Sequence, residues 1–122
     1  MNTIYAREDY LGADEYIDVV RKSGLNRPVD DRGRVERMLA HANLILTARQ
    51  GGTLVGFARS LTDFCFCCYL SDLAVDKACQ GQGIGKRLIE ETRTAAGGPQ
   101  TTTLLLSAPT AMSFYQGIKM PK

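Results

Sequence analysis

The 122-residue chain has only one histidine, His41, and its four cysteines match no common zinc-binding spacing. Cys65, Cys67 and Cys68 lie close together in one predicted strand, and Cys79 stands apart from them. Neighbouring residues on one strand are badly placed for a disulfide, because the geometry of that bond is narrow. We therefore expect no metal site, and we expect four reduced cysteines that act as small core residues. Reduced cysteines are typical of a cytoplasmic protein.

The chain also lacks a strong excess of charge, a long apolar run and a secretory signal. It has 15 Lys and Arg residues against 13 Asp and Glu, which gives a formal net charge of +2, and the basic residues are spread along the sequence. Because nucleic-acid-binding domains concentrate basic residues, no nucleic-acid partner is predicted. No apolar run approaches the roughly 20 residues of a membrane span, and the N-terminus enters a charged segment directly. We expect no membrane partner.

The length and the composition favour one soluble globular domain. A chain of 122 residues can bury one substantial core but not two. The hydrophobic fraction of 44% and the charged fraction of 23% are ordinary for such a domain. No internal repeat or linker interrupts the sequence, so the predicted domain spans residues 1–122.

A glycine-rich turn between a predicted strand and a predicted helix is the most informative feature. Residues 65–75 are apolar and aromatic without internal Gly or Pro, which is typical of a strand. Residues 80–86 contain three glycines, and apolar residues then recur at helical spacing until Gly97. Glycine lets the backbone approach a ligand closely, and the unpaired N–H groups of a helix start attract anions. The turn therefore indicates a phosphate site, although glycine is also common in ordinary strand-to-helix connections.

The spacing inside the turn distinguishes between known phosphate motifs. The Walker motif requires Ser or Thr after its lysine, whereas Lys86 is followed by Arg87, and the dinucleotide motif requires glycine at position 86. The pattern Gln/Arg-x-x-Gly-x-Gly/Ala does fit, through Gln80, Gly83 and Gly85. This pattern resembles the acetyl-CoA signature of the Gcn5-related N-acetyltransferase (GNAT) superfamily, and a looser resemblance extends over residues 4–120.

The resemblance implies acetyl transfer from acetyl-CoA to a primary amine of a small molecule or peptide, by direct attack in a ternary complex. It implies that the turn holds the cofactor's pyrophosphate and that the end of the preceding strand holds its pantetheine arm. In this family a bulge opens that strand, and the backbone N–H of Leu73 would then meet the thioester carbonyl. The implied cofactor-binding residues are Leu73, Ala74, Val75, Gln80, Gly81, Gln82, Gly83, Ile84, Gly85 and Lys86.

Two catalytic residues are also implied by the resemblance. Ala111, Phe114 and Tyr115 match the start of the family's last helix, in which the tyrosine is the general acid near the CoA sulfur. A neutral phenol with a pKa of about 10 can protonate a departing thiolate. Asp72 lies on the strand where the family often has a carboxylate, so it is a candidate general base. Bulk water as the base, and Tyr115 as an ordinary core residue, are the alternatives.

The predicted order of elements is β, α, α, β, β, β, α, β, α. Three strands in a meander followed by a right-handed βαβ crossover give an α/β fold, with a mixed and mostly antiparallel sheet flanked by helices. This agrees with the GNAT fold that the motif implies. The predicted elements cover residues 2–6, 14–23, 30–41, 44–50, 53–60, 65–75, 84–96, 101–107 and 111–116.

The sequence departs from the GNAT pattern at its C-terminal end. Family members usually end with a strand after the tyrosine helix, whereas only Ile118–Lys122 remain here, so that strand is expected to be missing. An exposed strand edge invites pairing with another chain, and a homodimer is therefore predicted. A catalytically silent CoA-binding or interaction module is the alternative function. The acceptor cannot be named, because the acceptor pocket carries no motif.

Overall fold

The computed structural model of the protein describes residues 2–105. This part of the chain forms a five-stranded sheet in the order β1-β2-β3-β4-β5, with helices on both faces. Within these residues no helix is long and apolar enough to cross a membrane. The elements are β1 (Thr3–Arg7), α1 (Ala13–Ser23), α2 (Arg32–His41), β2 (Leu44–Gln50), β3 (Thr53–Thr62), β4 (Cys67–Val75), α3 (Ile84–Ala95) and β5 (Thr102–Leu105).

The sheet combines an antiparallel meander with one parallel pair. Each of the strands β1 to β4 runs antiparallel to the next, whereas β4 and β5 are parallel and are connected through α3. The predicted mixed sheet and the predicted order of elements are confirmed as far as β5. The predicted last helix, residues 111–116, lies outside the described residues.

Local sequence signals set several boundaries of these elements. Gly51 and Gly52 have φ angles of 59° and 83°, so both adopt the left-handed conformation that a tight hairpin between β2 and β3 requires. Asp31 caps α2, since its Oδ1 accepts a hydrogen bond from the backbone N–H of Arg34 at 3.0 Å. Gly24, at φ 83°, ends α1.

Two hydrophobic clusters cover the opposite faces of the sheet. The α3 cluster includes Leu88 and Ile89 of the helix. The cluster on the other face includes Tyr16 of α1 and Val35 of α2. Gly56 of β3 lies beneath α3, where an added Cβ would be 3.1 Å from the Ala74 carbonyl oxygen, so the sheet needs glycine there for close packing.

The strand β4 begins two residues later than predicted. The Oδ1 atom of Asp63 accepts hydrogen bonds from the backbone N–H groups of Cys65, Phe66 and Cys67, at 2.8 to 3.0 Å. These bonds fold the segment into a turn, and they lower the pKa of the Asp63 carboxyl to about 2. Cys65 therefore lies outside the strand.

The prediction of four core cysteines is correct only for Cys68. Cys68 is buried, Cys79 is partly exposed, and Cys65 and Cys67 are exposed because the Asp63 turn holds them at the surface. All four are free thiols. Within residues 2–105, no group of three or more His, Cys, Asp or Glu side chains is placed to hold a metal ion.

Candidate functional site

The glycine-rich loop connects the end of β4 to the start of α3. Gly81 and Gly83 have φ angles of 86° and 79°, and Gly83 is the N-cap residue of α3. Such angles strain any residue with a side chain, which explains glycine at both positions. A Cβ added to either residue would meet nothing within 4 Å. The loop backbone therefore faces open space, where a ligand could contact it directly.

The first turn of α3 offers unpaired backbone donors beside this open space. The first main-chain bond of the helix runs from the Arg87 N–H to the Gly83 carbonyl oxygen, at 3.0 Å, and no side chain caps the helix. In the described part of the chain, the N–H groups of Ile84, Gly85 and Lys86 accordingly have no recorded acceptor. Unpaired N–H groups and the positive end of the helix dipole together favour an anion.

Two glutamine side chains hold the loop in place. Gln80 Nε2 donates to the Val75 carbonyl oxygen at 3.0 Å, and Gln50 Nε2 donates to Gln82 Oε1 at 3.4 Å. The loop is thereby attached to the end of β4 and to the end of β2. In this contact the Gln80 side chain braces the loop.

The two basic residues at the start of α3, Lys86 and Arg87, differ in the contacts that their side chains make. Arg87 lies over the Tyr5 ring, with its Cζ atom 4.6 Å from the ring centroid, and its Nε is 3.3 Å from Glu91 Oε2. Lys86 is exposed. Lys86 is therefore the better placed of the two to contact a phosphate, since Arg87 already pairs with Tyr5 and Glu91.

The second half of β4 has a free edge in the described structure. β5 pairs with β4 only from Cys67 to Leu70. The Asp76 N–H donates to the Val55 carbonyl oxygen of β3 at 2.8 Å, and in an antiparallel pair only alternate residues bond to the partner strand. This alternation directs the backbone N–H of Leu73 away from β3 and toward the free edge.

A β-bulge at Ser71 separates the two halves of β4. Leu70 is opposite Ser60 of β3 and Asp72 is opposite Arg59, so Ser71 has no counterpart on β3. Strict alternation from Leu70 would direct Asp72 toward α3. The extra residue reverses this order, and Asp72 therefore faces α1 on the other side of the sheet.

Asp72 is fully buried and binds three cationic or phenolic side chains. Its Oδ2 accepts from the Tyr16 hydroxyl at 2.7 Å and from Arg59 Nε at 2.6 Å, and its Oδ1 accepts from Arg27 Nε at 2.6 Å. Burial alone would raise the pKa of the Asp72 carboxyl. The hydrogen bond and charge of Arg59, with the bonds from Tyr16 and Arg27, outweigh burial and lower that pKa below its ordinary value.

The predicted cofactor-binding residues follow one another along the chain, from the end of β4 through the loop to the first turn of α3. The segment Leu73, Ala74 and Val75 ends where Gln80 binds the Val75 carbonyl, and the loop follows directly. Asp72 precedes this segment, but its side chain faces α1. Tyr115, the predicted general acid, lies outside the described residues.

Sequence reasoning did not identify Tyr16, Arg27 or Arg59 as partners of Asp72. One signal was available, because Arg59 follows the apolar residues 54–58 in a strand that is buried on both faces. A charged side chain in such a strand needs a partner of opposite charge. That partner, Asp72, is 13 residues away and is one of several acidic residues in the sequence, and Tyr16 is 56 residues from Asp72, so no local spacing connects the three.

A polar surface depression of about 280 Å³ lies beside α1, away from the loop. Its lining consists mainly of charged side chains of α1 and α2. It contains no residue of β4 or of the glycine-rich loop, so we do not assign it to this site. The lining residues are Asp14, Ile17, Asp18, Arg21 and Arg32.

Comparisons with known proteins agree with the geometry. The model of the acetyltransferase (GNAT) domain matches residues 23–118. Among solved structures, a probable acetyltransferase of unknown function from methicillin-resistant Staphylococcus aureus is 20% identical, with a TM-score of 0.80 and coverage of 99% of this chain and 92% of that one. No curated protein sequence matches the chain.

Two further structures of this fold have titles that state an activity. The ribosomal-protein-alanine N-acetyltransferase from Brucella melitensis biovar Abortus 2308 is 19% identical, with a TM-score of 0.70 and coverage of 99% of this chain and 93% of that one. The aminoglycoside N-acetyltransferase AAC(6')-Iy, solved in complex with CoA, is 15% identical, with a TM-score of 0.72 and coverage of 99% and 89%. At these identities the likeness concerns the fold.

Proposed function

Because the chain belongs to the GNAT acetyltransferase family, we propose that it transfers an acetyl group from acetyl-CoA to a primary amine of a small molecule or peptide. The reaction joins the amine nitrogen to the acetyl carbon, breaks the carbon–sulfur bond and releases CoA as a thiol, while the amine loses a proton. The observation that carries the proposal is the loop at Gly81 and Gly83, with the unpaired N–H groups that follow it.

The loop would bind the pyrophosphate of the cofactor through its backbone. The N–H groups of Ile84, Gly85 and Lys86 are oriented by the helix, and the dipole of α3 adds to their attraction for an anion. Gln80 and Gln82 keep the loop in this shape through their contacts with Val75 and Gln50. Binding would then require little rearrangement of the loop, which favours affinity.

The free edge of β4 would bind the pantetheine arm. The arm carries amides, which can pair with the backbone N–H groups of Leu73 and Val75, since both face away from β3, as an added strand would. The N–H of Leu73 would donate to the thioester carbonyl, where negative charge develops during attack by the amine. Ala74 faces the opposite cluster with Phe57, so its part would be limited to its backbone.

The general base remains a prediction. Both oxygens of Asp72 already accept hydrogen bonds, and its pKa is lowered, so the contacts favour a role in holding β4 in place over proton abstraction. Bulk water is then the alternative base. Tyr115 is proposed as the general acid on its sequence pattern alone.

The acceptor class is proposed from the structures of the same fold. One of them is a ribosomal-protein-alanine N-acetyltransferase and another is an aminoglycoside N-acetyltransferase. We propose an amine of a small molecule or a peptide for this chain on that basis. A homodimer and a cytoplasmic location complete the proposal.

Gly83→Val tests the cofactor assignment. The added side chain would project into the open space beside the loop, so we expect CoA affinity to fall by about 3 kcal/mol, roughly 100-fold. Isothermal titration calorimetry with CoA and acetyl-CoA measures this change. Gly52→Val is the matched control, because Gly52 has φ 83°, also has nothing within 4 Å of an added Cβ, and lies in the β2–β3 hairpin.

The control separates strain from the loss of a binding surface. Both substitutions impose a similar backbone strain, and both are expected to lower the melting temperature. Only Gly83→Val should weaken CoA binding. Equal CoA affinities for Gly83→Val and the wild type would disprove the assignment, and tight CoA binding without thiol release on any amine would favour the silent module.

A further inference from the structure

One side chain, Arg27, fastens the loop between α1 and α2 to the bulge of β4. Its Nη2 donates to the Ser71 carbonyl oxygen at 2.8 Å, and its Nε donates to Asp72 Oδ1 at 2.6 Å. Its Nη1 donates to the carbonyl oxygen of Asn26 at 2.6 Å, within the same loop. The guanidinium therefore connects the backbone of the loop with the backbone of the bulge.

The bulge has few other supports among the described residues. Ser71 has no register partner on β3, because Leu70 and Asp72 are opposite the adjacent residues Ser60 and Arg59. The carbonyl of Ser71 is therefore satisfied by Arg27, while its hydroxyl accepts from Arg59 Nη2 at 3.1 Å. These two bonds hold Ser71 in the bulge, two residues before Leu73.

Arg27 differs from the other members of this cluster in its exposure. The side chain of Arg27 is 27% exposed and that of Arg59 is 9% exposed, whereas Asp72 is fully buried. Arg27 also belongs to a loop, whereas Arg59 belongs to the central strand β3. It is therefore the member whose position can change with the loop, and it is the member that reaches the bulge carbonyl.

We propose that Arg27 is a positioning residue for acetyl transfer. It holds the bulge two residues before Leu73, and so couples the order of the loop between α1 and α2 to the exact position of the Leu73 N–H that would meet the thioester carbonyl. This inference rests on the proposed function and adds a residue that does not itself touch the reacting atoms. Arginine suits the task because its rigid fork donates to two acceptors at fixed angles, which lysine cannot do.

The kinetic test compares Arg27→Met and Arg27→Lys with Arg21→Met as the matched control. Arg21 pairs with Asp30, at the other end of the same loop, through an exposed 3.2 Å contact, so its removal also frees a loop contact but leaves the bulge intact. A misplaced donor can lower the rate by roughly 10- to 100-fold. We expect this loss of kcat for Arg27→Met, a smaller loss for Arg27→Lys, and no change for Arg21→Met.

Calorimetry on the same variants distinguishes positioning from loss of folded protein. Turnover is expressed per CoA-binding site, so that unfolded molecules do not count. The KM for acetyl-CoA should stay within about twofold, because the glycine-rich loop is intact. Any preference of the wild type for acetyl-CoA over CoA should shrink in Arg27→Met, since only acetyl-CoA has the carbonyl that Leu73 would contact. Wild-type kcat in either Arg27 variant would overturn the proposal.

Amide hydrogen exchange in the ligand-free protein tests, independently of CoA, whether Arg27 holds the bulge in place. We expect exchange at Asp72 and Ala74 to accelerate by roughly tenfold or more in Arg27→Met, with no change in α3. Unchanged exchange would show that Arg27 does not hold the bulge and would overturn the proposal. If the wild type binds no acetyl-CoA, the proposed function is wrong. Faster exchange in Arg27→Met would in that case still show that Arg27 connects the loop to the bulge, but the role in acetyl transfer would be overturned.

Discussion

Gly83 and Asp72 illustrate how much a single residue can decide in this molecule. Gly83 has its role through the absence of a side chain, which leaves the backbone open to an anion at the start of α3. Asp72, in contrast, acts through its side chain, because Arg27, Arg59 and Tyr16 donate hydrogen bonds to its carboxylate oxygens. A further proton on this carboxylate would weaken its bonds to the two arginines. Proton transfer is therefore more readily assigned to a residue outside this cluster.

A second single residue, Tyr115, is the proposed general acid, and Tyr115→Phe tests this role. The substitution keeps the ring but removes the proton that would neutralise the departing thiolate. General acid catalysis typically contributes about 10²- to 10⁴-fold in rate, so kcat should fall by that factor while acetyl-CoA affinity stays nearly constant. Thiol release with a panel of small amines and peptide N-termini measures the rate.

A purely structural tyrosine would give the reverse result. The loss of its hydroxyl hydrogen bond would lower the stability by about 1 kcal/mol, and turnover per folded molecule would be retained. A melting curve recorded beside the kinetic assay separates the two cases. Turnover at the wild-type rate on a good acceptor would exclude the general-acid role and would favour water as the proton source.

At the scale of secondary structure elements, the buried carboxylate joins α1 to the centre of the sheet. The Tyr16 ring of α1 packs on Phe57 of β3, with centroids 4.9 Å apart, and its hydroxyl reaches Asp72 of β4. Burial and the neighbouring Asp72 carboxylate raise the pKa of Tyr16, so it remains a neutral donor. The helix is thereby held both by apolar packing and by a charge-assisted hydrogen bond.

Tyr16→Phe isolates the polar part of this junction. The ring and its packing remain, but a buried carboxylate loses one of its donors, so the free energy of unfolding should fall by about 1.5–3 kcal/mol. Denaturant unfolding at neutral pH measures the difference. Tyr10→Phe is the control, because Tyr10 is 80% exposed and its substitution should leave the stability unchanged.

The pH dependence of the same variant checks the mechanism. The folded pKa of Asp72 is lowered, so its stabilising contribution is complete above the unfolded pKa of about 3.9 and is lost as the pH falls through the folded pKa. The stability difference between Tyr16→Phe and wild type should therefore be constant down to about pH 4 and shrink below it. A difference that persists in acid would show that packing, and not the bond to the carboxylate, was lost.

For the whole molecule, features that depend on neighbouring residues could be predicted from the sequence, whereas contacts between distant residues could not. The glycine-rich loop depends on neighbouring residues and lies between the strand and the helix that the sequence predicted for it, and the Gly51–Gly52 hairpin falls between the predicted strands 44–50 and 53–60. The contacts of Asp72 could not be predicted in this way, because its partners come from α1, the following loop and β3. Their meeting depends on the bulge at Ser71, which changes the face of every residue after it.

A homodimer is predicted at the scale of the assembly. Leu104 of β5, the last strand of the described sheet, is 56% exposed, and an apolar side chain at a sheet edge is better covered by a second copy than by water. Sedimentation equilibrium should give twice the 13.4 kDa mass of the chain at micromolar concentration. Leu104→Lys should shift the equilibrium toward the monomer if the edge is the contact, and a stable wild-type monomer would contradict the prediction.

The bulge at Ser71 makes β4 one residue longer than the sheet requires. If Ser71 were deleted, Leu70 would still lie opposite Ser60 and Asp72 opposite Arg59, so every neighbouring side chain would keep its face and its partner strand. The shortened strand would pair with β3 without a bulge. The pairing of β4 with β3 therefore does not use this residue, whereas the bond from Arg27 to the bulge does. A spare residue of this kind is a route by which a chain could keep its shape while losing, or gaining, an activity.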